Sequence, residues 1–339
     1  MASMTRGRDT GTFRLSLRGH VKRPRVPPMS HTSPRKGEVH MGYKLVHIKG
    51  DTWYLDGAAK IGIIRNTKDS SRSIVIDTGL DDDAGRRLMK VMQEEGMGVG
   101  TIINTHSHAD HCGGNHIIKG RTNCAIFASP FDKGIIEYPE LEPFYLYSAY
   151  PLKELDTKFL KAKGTKVEHE LEIGNLEIDG VPLEIIPLHG HTPGMIGVAT
   201  ADNVLFAGDS FFSVYILEKH GIPYFTGIGE AISTLESIKH MSYEYYVPSH
   251  GDVLTDPEDT LDANIRILQD TVEYIADICG KALDREEVTA KLAERFAIKQ
   301  NIPQYYLTVS TASAFLSHMT STGMLTTLFE DNKLKFKRA

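Results

Sequence analysis

The chain predicts an α+β fold in which two β-sheets pack face to face with helices on their outer sides. Short apolar runs broken by Gly or Asp occupy residues 43–103 and again residues 166–207, and each series is accompanied by segments of helical spacing. A sheet with one apolar face must bury it, and two strand-rich halves do so by stacking. Composition agrees, because 41% hydrophobic and 24% charged residues in 339 are those of a globular body. No apolar run approaches the roughly 18 residues of a membrane-spanning helix.

Residues 1–40 carry nine Lys or Arg against two acidic residues, with Pro24, Pro27, Pro28 and Pro34 and no periodic apolar face. They read as a disordered basic leader. An Arg-rich, acid-poor leader suits a transit peptide or a nucleic-acid arm, yet this one lacks an amphipathic helix and an apolar signal core, and Met41 offers a second start. With −6 overall and +7 in the leader, the remaining 299 residues sum to −13. The body is therefore acidic. Cys112, Cys124 and Cys279 form no spacing pattern, which argues for a reducing, cytoplasmic compartment.

From Tyr43 the pattern predicts strands at 43–48, 52–55, 61–65 and 73–76, then a helix over 82–95 with Leu88, Val91 and Met92 on one face. A strand at 99–103 and another at 124–128 follow. Residues 130–163 hold Tyr138, Phe144, Tyr145, Tyr147 and Tyr150 between prolines. Such aromatic density suits a pocket wall, a homodimer surface or plain packing against the core. The second series predicts strands at 166–171, 183–187, 195–199 and 204–207, a helix at 229–241 and a strand at 243–247. Beyond it, Leu261, Ile265, Leu268, Val272 and Ile275 give a helix over 256–280. Helices at 283–296 and 304–321 and a hairpin at 325–329 and 333–336 complete the chain. Helix, helix and two-stranded wing is the plan of a winged helix, and a helical cap completing the core is the alternative. The expected division is a leader at 1–40, a main domain at 41–256 and a C-terminal extension at 257–339.

The chemistry gathers at the end of the 99–103 strand. His106, His108, Asp110 and His111 place three imidazoles and a carboxylate within six positions, closed by Gly113-Gly114. Imidazoles forced together repel when protonated and gain nothing from packing. Neutral imidazole nitrogen and carboxylate oxygen are ligands for Zn²⁺, Fe²⁺ or Mn²⁺, and a metal is the physical reason to gather them. Cys112, next to these residues, reads as a small buried thiol. His116 and His189 read as surface residues or outer neighbours of the ligands.

The stretch resembles the His-x-His-x-Asp-His signature of the metallo-β-lactamase fold superfamily. The family's other motifs follow in order: Asp77 in Ile74-Val75-Ile76-Asp77-Thr78-Gly79, His191 in His189-Gly190-His191-Thr192-Pro193-Gly194, Asp209 in Phe206-Ala207-Gly208-Asp209-Ser210, and His250 in Pro248-Ser249-His250-Gly251. The resemblance implies an αββα sandwich with the site where the strand ends of both halves meet. It implies that His106, His108 and His191 hold one divalent metal ion, zinc in the first instance, that Asp110, His111 and His250 hold a second, and that Asp209 bridges them. Asp77 then lies outside the ligand set and accepts a hydrogen bond from loop backbone or a ligand imidazole. Ser210 and Phe211 would face the pocket.

A two-metal set of this kind implies a hydrolase in which a metal-bridging hydroxide attacks a small-molecule carboxylic derivative, a thioester, lactone or other ester, with Asp110 orienting the water or accepting its proton. The chain departs from named branches. It has no match to the basic glutathione-binding residues of glyoxalase II, and Phe212 stands where lactonases tend to carry Tyr. The alternative is a phosphodiesterase acting on RNA or DNA, gripped by the leader, the wing and Lys333, Lys335, Lys337 and Arg338. Against it stand the −13 body and the 41 residues from Asp209 to His250, too few for a large inserted domain. A β-lactamase fits Asp209 poorly, and an iron-dependent dioxygenase would leave Asp110, His111 and His250 without purpose.

Overall fold

The computed structural model describes residues 43–339. The basic leader expected over 1–40 lies outside the described residues. The first sheet has seven strands in sequence order: β1 (Lys44–Lys49), β2 (Thr52–Asp56), β3 (Ile61–Ile64), β4 (Ser73–Ile76), β5 (Val99–Ile103), β6 (Ala125–Ala128) and β7 (His169–Glu170). The first four pair antiparallel, and β4 through β7 run parallel. The crossovers between the parallel strands carry α1 (Asp82–Glu94), α2 (Ala109–Cys112), α3 (Asn115–Thr122), α4 (Pro130–Glu137) and α5 (Leu141–Tyr147). The second sheet contains β8 (Gly174–Ile178), β9 (Val181–Pro187), β10 (Ile196–Thr200), β11 (Val204–Gly208) and β12 (Tyr245–Pro248), in the order β12-β11-β10-β9-β8.

The period of two along each central strand builds the layers. In β4, Ile74 and Ile76 pack with Leu183, Ile185, Val198 and Phe206 of the other sheet, whereas Val75 points the opposite way toward Leu88 and Met92 of α1. In β11, Val204 and Phe206 join the core between the sheets, while Leu205 and Ala207 turn outward. That outer side is covered by α7 (Ile228–Lys239) and α8 (Glu258–Ile278) through Leu235, Ile238, Leu261 and Ile265. The architecture is the αββα sandwich that the two strand-rich halves require.

The structure corrects one expectation and adds two elements. The strand at 166–171 shrinks to His169–Glu170, an exposed edge strand paired only with β6. Strand β8 was not expected, although its hairpin with β9 turns at Asp179-Gly180, both with positive φ (53° and 78°), and Asp-Gly is a strong hairpin signal. The helix α6 (Val214–His220), capped by Ser213, interrupts what reads as loop.

Beyond β12 the chain forms α8, α9 (Arg285–Arg295), α10 (Ile302–Ser321), β13 (Leu325–Glu330) and β14 (Lys333–Arg338). Leu283, between α8 and α9, exchanges backbone hydrogen bonds with Phe336 of β14 (3.0 and 2.8 Å). Helix, short strand, two helices and hairpin is the winged-helix plan. Here α10, the helix that such a module would offer to a groove, is turned inward: Ala312, Phe315, Leu316 and Met319 are buried in the core shared with the second sheet. On the wing, Lys333 pairs with Asp284, Lys335 with Glu330 and Arg338 with Asp277. No helix among the described residues is long and apolar enough to cross a membrane.

Candidate active site

The site starts where β4 and β5 end side by side. Asp77, directly after β4, takes the left-handed backbone conformation (φ 65°), which a non-glycine residue adopts at a cost. Its carboxylate is buried and accepts three hydrogen bonds, each of 2.8 Å, from Thr105 N–H, Thr105 Oγ and His111 Nδ1. Asn104 and Asn115 pair across the start of the same loop, and Asn104 Nδ2 donates to the His111 carbonyl at 3.1 Å. The expected loop is partly helical: His111 and Cys112 N–H both donate to His108 O, which begins α2. The turn closes at Gly113, where a Cβ would stand 1.9 Å from Leu80 O, so only glycine fits.

A consistent rule orients the imidazoles. Nδ1 of His111 is held by Asp77, Nδ1 of His191 by Tyr224 O (2.8 Å) and Nδ1 of His250 by Ala58 O (2.9 Å). Nδ1 of His106 meets Thr105 Oγ at 3.1 Å, and that hydroxyl already donates to Asp77. Four rings thus present Nε2 inward. His108 is reversed: its Nδ1 lies 3.1 Å from His106 Nε2 and 2.8 Å from His191 Nε2. Tetrahedral zinc with bonds of about 2.05 Å needs ligand nitrogens about 3.3 Å apart. The three nitrogens are near that spacing.

A second group faces the first. Asp110 Oδ2 lies 3.2 Å from His250 Nε2 and 3.7 Å from His111 Nε2. Asp209 stands between the groups, with Oδ1 3.5 Å from His111 Nε2 and Oδ2 3.5 Å from His191 Nε2 and 3.6 Å from His250 Nε2. Residues in both groups could hold a cation. Buried His111 Nε2 and Asp209 Oδ1 have no hydrogen-bond partner, and a bare buried polar atom costs about 1–3 kcal/mol. Cations between these atoms would satisfy them.

The electrostatics separate the groups. Burial keeps His106 and His191 well below the usual imidazole range and His108 at about 4, so all three stay neutral and offer lone pairs. Burial opposes charge on His111 as well, but Asp110, Asp209 and Asp77 outweigh it and push it up to about 10. His250 is raised by Asp209 and Asp110 against its burial. The second group thus gathers positive charge around its carboxylates, the role that a cation fills.

Two further carboxylates were not anticipated. Asp132, fully buried on α4, accepts from Ser107 N–H and Ser129 Oγ (2.9 Å each) and from Thr192 Oγ (3.4 Å), tying the His106–His108 turn to the His191 loop. Glu142 on α5 is buried, lies 3.7 Å from His108 Nε2 and has its carboxyl pushed well up by that burial. An acid inside an aromatic helix was the signal for Glu142; Asp132 reads as an ordinary first-turn residue.

Beside the cluster opens a cavity of about 430 Å³, bounded by His191, Asp209, Phe212 and His250 at one end and by α6, residues 296–299 and α10 along its length. Phe212 lines it, not Phe211, which is fully buried in the core behind. Ser210 Oγ is buried without a partner. The aromatic segment does not line this cavity: Tyr138, Phe144 and Tyr150 are exposed, Tyr147 packs against Tyr306, and Tyr145 bonds toward Tyr224. His116 and His189 are exposed, and Cys112 is a buried thiol donating to Ser107 O.

Comparison with known proteins agrees with the fold. The family model described as the metallo-beta-lactamase superfamily matches residues 56–250, more than half of the chain. The beta-lactamase-like protein 2 homolog of Drosophila melanogaster is 28% identical over 190 residues, 55% of this chain and 57% of that protein. Hydroxyacylglutathione hydrolase GloC of Haemophilus influenzae is 31% identical over 147 residues, 42% of this chain and 63% of that protein. The matches thus span less than two thirds of either relative. Among solved structures, a metallo-beta-lactamase family protein from Thermus thermophilus superposes with a TM-score of 0.66 at 18% identity, covering 87% of this chain and 97% of that one. A beta-lactamase domain protein from Burkholderia ambifaria gives 0.68 at 17%, covering 90% and 96%. The chain belongs to the metallo-beta-lactamase superfamily.

Proposed function

We propose that this chain is a binuclear metal-dependent hydrolase of small carboxylic derivatives, a thioester, lactone or other ester. The observation that carries the reading is Asp209, a buried carboxylate whose two oxygens face histidines of both ligand groups at 3.5–3.6 Å. In this assignment His106, His108 and His191 would hold one ion, Asp110, His111 and His250 would hold the other, and Asp209 would belong to both. The superfamily uses divalent metals, typically zinc. A bound pair supplies Lewis acidity, bringing the pKa of water toward neutrality and polarising a carbonyl.

The chain's own groups do the rest. Asp110 is the most exposed of the ligand set (38%). Its Oδ1 accepts the proton of the attacking water and returns it to the leaving thiolate or alkoxide. Asp77 and the Tyr224 and Ala58 carbonyls fix the imidazoles, so little reorganisation accompanies reaction. Phe212 and Tyr224 exclude bulk water from one side. The hydrolase GloC supports a thioester as substrate through its name alone.

Nucleic acid fits poorly, because the body carries −13, three wing cations are already paired and α10 faces inward. The test is the initial rate of the zinc-loaded full chain on an S-phenyl thioester, a lactone and bis(p-nitrophenyl) phosphate, with Asp209→Ala as blank. Turnover confined to the carbonyl substrates is expected. Turnover confined to the phosphodiester would overturn the reading.

A further inference from the structure

The cavity beside the ligand cluster is apolar along its walls and cationic at its rim. Ile216 and Leu217 of α6, Ile222, Phe296, Ile298 and Leu307 form the walls. Besides the ligands His191, Asp209 and His250, its ionisable lining groups include Lys219, His220 and Lys299, and no second carboxylate. Both lysines are exposed, and neither has an acidic partner within ion-pair distance among the described residues. In a body of −13, two unpaired cations on one rim are a local reversal of charge.

The backbone brings them together. Gly221 ends α6 with φ 74°, and a Cβ there would stand 2.7 Å from Phe296 Cβ, so the α6 terminus lies directly against the turn after α9. In that turn Ala297 also adopts a left-handed conformation (φ 49°), one that a non-glycine residue holds only where its surroundings impose it. Ile298 and Lys299, directly after this bend, line the cavity together with Lys219.

We propose that the cavity selects acyl groups with an apolar chain ending in an anion, a carboxylate or phosphate, which Lys219 and Lys299 hold while the carbonyl sits at the Asp209 end. This rests on the hydrolase reading and names its substrate class. The chain contacts the apolar walls and the terminal anion replaces solvent on the two ammonium groups.

The test uses three S-phenyl thioesters of matched length, made from hexanoic acid, adipic acid with one free carboxylate, and 5-phosphonopentanoic acid. Binding of the three unreactive N-phenyl amides is measured by calorimetry on the same protein with and without zinc. An anionic chain is expected to gain about tenfold in kcat/KM over the hexanoyl chain, through KM, and about tenfold in amide affinity. The double variant Lys219→Ala/Lys299→Ala should bring both ratios to within about twofold, as should added salt. The better of adipate and phosphonate identifies which anion is meant.

Equal turnover of all three thioesters, or a preference that survives the double variant, would overturn the proposal and leave the hydrolase reading standing. Absence of any turnover, with lysine-dependent amide binding retained, would overturn the hydrolase reading and leave the cavity assignment standing. No turnover and no charge preference would remove both.

Discussion

The strand ends that carry His106 to His111 and the apolar wall of the cavity beside them are held by different forces. Around the ligand loop the contacts are buried and directional: Asp77 accepts three hydrogen bonds, Asn104 pairs with Asn115, and Asp132 ties two loops. Along the opposite wall, Ile216, Leu217, Phe296 and Leu307 are packed by area alone, and the lysines end in solvent. Directional buried contacts fix atoms to a few tenths of an ångström and tolerate little change. Apolar packing tolerates substitution while volume is kept. On the proposed reading, the chemistry is set in the rigid half and selectivity is open to change in the other.

Variants can break this contrast, and the largest effect is expected at Asp209. Asp209→Ala should lower turnover by about a thousandfold, on the order of what removal of a preorganised electrostatic group costs. The circular dichroism spectrum should match wild type. Retention of more than about a tenth of the rate, roughly 1.4 kcal/mol in barrier, would remove Asp209 from both ligand groups.

Asp77→Asn comes next. An amide keeps one acceptor oxygen where the carboxylate has two, so either Thr105 N–H at Oδ1 or the Thr105 Oγ and His111 Nδ1 pair at Oδ2 loses its acceptor, and zinc affinity should fall by about 10–100-fold. Competition with a chromogenic chelator reads this, and unchanged affinity would show that His111 needs no partner. A smaller effect is expected at Leu307→Ala, which enlarges the cavity without touching a ligand. Zinc affinity should stay within about twofold, and the preferred acyl chain should lengthen by one or two carbons. Altered zinc affinity would mean that the two halves are not independent. Smallest of all, Lys333→Ala on the wing should change stability by less than about 1 kcal/mol, the size of an exposed ion pair, and leave turnover unaltered. A large loss on any substrate would bring the wing into the site.

The same contrast explains what the sequence makes legible. His106, His108, Asp110 and His111 crowd six positions, as one loop delivering several ligands would under the proposed assignment, and Asp77 falls at the end of the neighbouring strand. Local crowding is visible in a chain. The cavity wall is not, because α6, residues 296–299 and α10 come together only through packing, and Lys219 and Lys299 sit 80 positions apart with no shared pattern. The continuous apolar runs of β4 and β11 made the sheets readable, whereas β7 shrank because an edge strand needs no apolar face. The three helices and the hairpin beyond β12 were readable from helix spacing and the turn between the two last strands. That α10 is buried rather than presented to solvent followed from Phe315 and Leu316 packing against the second half, a long-range contact.

The central claim is a pair of cations sharing Asp209, and the most direct measurement is titration of the metal-free full chain with Zn²⁺ while thioester hydrolysis and bound zinc are followed together. The account predicts that binding and rate both reach their plateau at two equivalents per chain. A plateau in both at one equivalent would contradict it.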